Sequence, residues 1–92
     1  MLHNAYSNHI RTQHVDSILE GSEVLIGDEM RIGMSESFLV AMLRDKGYSV
    51  SGSSYWFCDE LQRLGYKFGR GKVGKYTRTG FQYVQPARCV YI

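Results

Sequence analysis

SESFLVAMLRDKGYSVSGSSYWFCDELQRLGYKFGRGKVGKYTRTGFQYV, residues 35–84, changes its hydrophobic period once and its charge once, and both changes bear on the fold. Ser35 to Lys46 reads as a helix: Ser35 can cap it, Glu36 suits its positive N-terminal end, and Phe38, Leu39, Met42 and Leu43 share one face. Gly47 is its natural stop. After a tight connection at Tyr48 to Gly52, a second amphipathic helix is expected from Ser51 or Ser53, with Phe57, Cys58, Leu61 and Leu64 inward and Gly65 closing it. Beyond Gly65 the aromatic residues Tyr66, Phe68, Tyr76, Phe81 and Tyr83 interleave with Gly, Lys, Arg and Thr. This spacing predicts two strands, about Tyr66 to Arg70 and Arg78 to Val84, joined by a flexible tip at Gly71-Lys72-Val73-Gly74-Lys75, with Pro86 ending the second strand.

Upstream, Thr12 is the expected cap of a short helix carrying Val15, Ile18 and Leu19, which Gly21 ends. Residues up to about Asn8 show no periodicity. Gly27-Asp28-Glu29 reads as a turn followed by a strand at Met30 to Ile32, while the state of Val24 to Ile26 is open. Arg88 to Ile92 is expected as an apolar-ended tail packing back on the core. No repeat, linker or low-complexity tract divides the 92 residues, so one small α+β domain is expected.

The formal charge of +2 conceals a split. Leu61 to Ile92 has seven Lys/Arg (Arg63, Lys67, Arg70, Lys72, Lys75, Arg78 and Arg88) and no acid, whereas Met1 to Glu60 has nine Asp/Glu against four Lys/Arg. Such asymmetry points to a polyanion-binding surface. Five of these cations, Lys67, Arg70, Lys72, Lys75 and Arg78, fall within twelve residues on the expected ribbon. If about four of them neutralise phosphates, the log–log salt slope on duplex DNA is roughly −3 to −4. On the preceding helix, Ser54, Tyr55, Asp59, Gln62 and Arg63 face outward, with Trp56 at the boundary. Ser54, Tyr55, Gln62 and Arg63 could meet phosphates or base edges in a major groove. Asp59 and Glu60 oppose this unless one accepts from cytosine or orients Arg63. Tyr76, Phe81 and Tyr83 could stack on unpaired bases.

Other chemistries find less support. Gly69 to Lys75 has phosphate-loop spacing, but Tyr76 stands where a magnesium-binding Ser or Thr belongs. His3, His9 and His14 lack metal-pair spacing and are expected to be exposed. Cys58 and Cys89 match no zinc or disulfide pattern and are expected as reduced, buried thiols. No catalytic constellation, cofactor or metal site is expected. Met1 to Glu20 is polar and mixed, and no apolar run nears 18 residues, so a cytoplasmic protein without export or membrane insertion is expected.

A helix-turn-helix followed by a basic hairpin resembles winged helix-turn-helix domains. More narrowly, residues 35–84 resemble the C-terminal winged-helix module of phage and plasmid primase-helicases. There an apolar helix leads through a Ser-rich turn to a helix ending in L-x-x-L-G-Y, matched by Leu61, Leu64, Gly65 and Tyr66, and a basic hairpin ends in an aromatic strand, matched by Phe81 and Tyr83. The resemblance covers about Met30 to Val84. It implies three helices, a small antiparallel sheet, a basic wing and DNA binding in replication or transcription control, with a phage or mobile-element origin. No helicase or primase domain accompanies it in these residues, so it implies no enzymatic activity. The rival reading is a protein–protein adaptor or inhibitor that docks through the wing and Trp56 on an acidic host protein.

Overall fold

The computed structural model describes residues 10–50 and 55–92. Its elements run α1 (Thr12–Leu19), β1 (Glu23–Ile26), β2 (Glu29–Ser35), α2 (Glu36–Asp45), α3 (Tyr55–Arg63), β3 (Lys67–Thr77) and β4 (Gly80–Tyr91). The fold is α+β, three helices with a four-stranded antiparallel sheet.

α1 starts one residue earlier than the capping argument predicts, at Thr12 itself. Arg11 occupies the N-cap, makes no side-chain cap bond, and accepts from the His14 amide through its carbonyl at 3.0 Å. Eight residues without a side-chain cap are marginal as an isolated helix, so tertiary contacts hold α1 in place. Val15, Ile18 and Leu19 are buried, and His14 Nδ1 lies 2.7 Å from the Tyr48 hydroxyl. His14 is therefore half-buried and hydrogen-bonded, not the exposed side chain expected; His3 and His9 lie outside the described residues.

The Tyr66 hydroxyl donates to Asp16 Oδ1 at 2.6 Å, tying α1 to the start of β3. Burial first, then this bond to a carboxylate, hold the phenol well above its ordinary value of 10.0. In the unfolded chain the phenol ionises near pH 10, whereas in the folded chain it stays protonated. The resulting stability is complete below about pH 10 and is lost as pH rises through the raised folded value. Tyr66→Phe is expected to flatten this alkaline decline relative to wild type, read as urea midpoints at neutral and strongly alkaline pH.

Val24 to Ile26, left open by the sequence, forms β1. Gly27, at φ +66°, opens the two-residue turn to β2, where a primed hairpin turn needs a left-handed residue. Ser35 then caps α2 as expected, its hydroxyl accepting from the Phe38 amide at 3.2 Å. The buried stripe of α2 is Glu36, Leu39, Val40 and Leu43, turned from the expected one, so Phe38 is 55% exposed. Gly47, at φ +102°, ends the helix as expected. Arg44 Nε donates to the Val50 carbonyl at 2.8 Å and pins the connection toward α3. The Ser-rich start expected for α3, residues 51–54, lies outside the described residues.

Helices and sheet share one core of Val15, Leu19, Leu39, Leu43, Phe57, Leu61, Tyr66 and Val90. Phe57 and Leu61 of α3 are fully buried as expected, whereas Cys58 is only half-buried.

The long hairpin departs most from the sequence reading. β3 and β4 pair continuously from Lys67–Tyr91 to Thr77–Gly80, apart from a bulge beside Val73 and Gly74. Gly71 to Lys75 is therefore strand, and the turn lies at Arg78 and Thr79 with Gly80 at φ +120°. Gly71 serves close approach instead of bending, because a Cβ there would lie 2.6 Å from the Leu25 carbonyl of β1. Pro86 does not end β4. It stands opposite Lys72, where β2 no longer flanks β4, and a strand with one unpaired edge tolerates proline. The expected tail is the end of β4, with Cys89 and Val90 buried.

β1 meets β3 through the single pair Leu25–Lys72, closing the strands into a small ring in the order β1-β2-β4-β3. Gly33 permits the β2–β4 contact, since a Cβ there would overlap the Val90 carbonyl and Tyr91 backbone. Gly33→Ala is expected to cost about 1–3 kcal/mol, a lower urea midpoint with an unchanged slope.

Candidate nucleic-acid interface

Alternation along β3 places Phe68, Arg70, Lys72, Gly74 and Tyr76 on one face and Lys67 and Lys75 on the other. Directly paired residues share a face, so Val90, Arg88, Pro86, Tyr83 and Phe81 join the first set. At its base this face meets α3, where Phe68 packs edge-to-face on Phe57 at 6.3 Å. Farther out it carries Arg70, Lys72 and, across from Arg70, Arg88. Arg78 sits in the turn. Lys67, Arg70, Lys72, Lys75 and Arg78 thus lie along one paired ribbon, and among the described residues none has an acidic partner within 4.0 Å.

The helix side is less open than the sequence implies. Arg63 is clamped to Glu60 by two bonds, Nε–Oε1 at 3.1 Å and Nη2–Oε2 at 2.8 Å. The carboxylate holds the guanidinium pKa above its ordinary value, hydrogen bonding first and charge second. Glu60 thus orients Arg63 while neutralising it locally. Gln62 is exposed and lines a shallow hollow with Phe68, Gly69, Arg70 and Arg88, at the junction of helix and hairpin. Ser54 lies outside the described residues, as does the Tyr55 side chain.

Arg88 is the residue that sequence reasoning left out of the site. Its Nε lies 3.2 Å from Oε1 of the buried Glu36, its guanidinium stands 5.2 Å from the Phe68 ring centre, and its Nη2 lies 3.8 Å from Cys58 Sγ. It therefore joins the N-terminus of α2, the middle of α3 and β4 in one cluster. Burial first, then the Glu36 charge, raise the Cys58 thiol pKa, which disfavours the reactive thiolate. The Cys89 thiol is likewise raised by burial. The acid-free run named Arg88, but only the register places it beside Arg70.

Among the described residues no three His, Cys, Asp or Glu side chains gather as a metal site would require, and no helix is long and apolar enough to cross a membrane. The exposed Lys and Arg side chains of the ribbon can offer charge and hydrogen-bond donors to an anion. Comparisons of the chain with protein-family models, curated proteins and solved structures return no match.

Proposed function

We propose that this chain is a non-enzymatic winged helix-turn-helix DNA-binding protein acting in replication or transcription control. The order of α2, α3 and the long hairpin supports this reading, as does the run β2-β4-β3 within the ring β1-β2-β4-β3; the strand β1, paired with β2 between α1 and α2, is additional. The observation that carries it is the ribbon of five cations, none with an acidic partner among the described residues, whose Arg70 shares a hollow with Gln62 on the exposed side of α3. Arg70 and Lys72 would grip phosphates from the face that meets α3. Arg78 would extend that grip outward from the turn, Lys67 and Lys75 would add charge from the opposite face, and Gln62 would border the major groove. Such contacts exchange condensed counterions for protein charge, so affinity must fall steeply with salt. The test is fluorescence anisotropy on a labelled duplex at several salt concentrations, with a log–log slope of roughly −3 to −4 expected for about four contacts. Absence of binding at low salt overturns the reading.

The adaptor reading keeps one observation in its favour: Met30, Ile32 and Phe38 present exposed apolar surface. Recovery of one stoichiometric protein partner without nucleic acid would favour it.

A further inference from the structure

We propose that the far end of the hairpin is a stacking platform for unpaired bases, so that the preferred ligand is a duplex continuing into a single-stranded tail; this rests on the DNA-binding reading above. Tyr76, Phe81 and Tyr83 share one face of the ribbon beyond the bulge. Tyr76 is 82% exposed and Phe81 51% exposed, an unusual placement for large rings outside any core. The rings brace one another edge-to-face, with Tyr76–Phe81 centres 5.1 Å apart and Phe81–Tyr83 centres 5.4 Å apart. Gly74 lies under the Phe81 ring, at a position where any Cβ would overlap it.

The turn beyond the rings is equally constrained. Thr77 Oγ1 donates to the Gly80 carbonyl at 2.8 Å, and Gln82 Nε2 donates to Thr79 Oγ1 at 2.8 Å. Rings held this way lose little freedom on engaging a ligand, which favours binding. Arg78 lies in the adjoining turn, Lys75 precedes Tyr76 on the opposite face of the ribbon, and no Asp or Glu occurs from Leu61 to Ile92. Exposed aromatic faces beside cations complement a base and its phosphate. Paired bases inside a duplex hide their faces in the stack and cost energy to unstack, so the rings engage unpaired ones more readily.

The test compares anisotropy titrations of a blunt duplex, the same duplex with a single-stranded tail, and the tail strand alone. The tail is expected to tighten binding about tenfold. Tyr76→Ala and Phe81→Ala should each remove most of that gain while leaving blunt-duplex affinity within about twofold. Tyr76→Trp should retain the gain. Equal affinity for tailed and blunt duplex, or a gain that survives both alanine variants, overturns the platform while sparing the duplex reading. Binding to tailed and single-stranded probes without binding to blunt duplex supports the platform and overturns groove binding. Displacement of the tailed probe by polyglutamate as readily as by unlabelled nucleic acid overturns the platform in favour of an acidic protein partner.

Discussion

Replacing Arg70 and Lys72 together by alanine is expected to weaken duplex binding about 100-fold at low salt. A hydrogen bond to a charged group contributes about 1.5–3 kcal/mol, and two phosphate contacts are lost. The log–log salt slope should become shallower by about 2. Both side chains are exposed and neither has an acidic partner among the described residues, so the folded state should be little changed and the loss should belong to binding. Arg63→Ala should weaken binding much less, because that guanidinium is already committed to Glu60. Anisotropy titrations of the three proteins, alongside urea midpoints, check both statements. A double variant that binds like wild type contradicts the role assigned to the ribbon.

The largest expected loss of stability is for Phe57→Ala. Phe57 is fully buried and its ring meets Phe68 and Trp56 edge-to-face, each at 6.3 Å, so it joins α3 to the base of the hairpin. Truncating a buried phenylalanine costs about 3–5 kcal/mol through lost transfer energy and the cavity left behind. A domain of this size holds roughly 5–14 kcal/mol in total, so the variant should be marginally folded near room temperature. Urea denaturation followed by circular dichroism measures the difference. A loss under about 1 kcal/mol would mean that α3 and the hairpin are held together by something other than this ring.

These two expectations rest on parts of the sequence that differ in legibility. The α2 cap at Ser35 and the stop at Gly47 were readable because short-range chemistry decides them, and the buried Phe57 and Leu61 because their spacing is helical. The stripe of α2 turned because Glu36 is drawn inward to Arg88, a contact between residues far apart in sequence. The hairpin tip was misplaced for a related reason. Glycine marks both turns and close approaches, and whether Gly71 bends the chain or makes room depends on Leu25 of β1, which local pattern does not reveal. Pro86 misled likewise, since its tolerance depends on which edge of β4 lacks a neighbour. The basic ribbon itself was legible, because absence of acids over a long run is a property of composition, whereas Arg88 entered the site only through strand register. The ion pair between Arg63 and Glu60 was only partly foreseeable: their spacing permits it, and the geometry makes it bidentate.

The central claim is that nucleic acid meets this protein on the face joining α3 to the basic hairpin. Amide chemical-shift mapping on a labelled sample, with a short duplex added at low salt, tests it most directly. The account predicts shifts concentrated at Gln62, Gly69 to Lys72, Lys75, Arg78 and Arg88, fading together as salt is raised. Shifts confined to α1 and the β1–β2 hairpin, or no shifts at low salt, would contradict it.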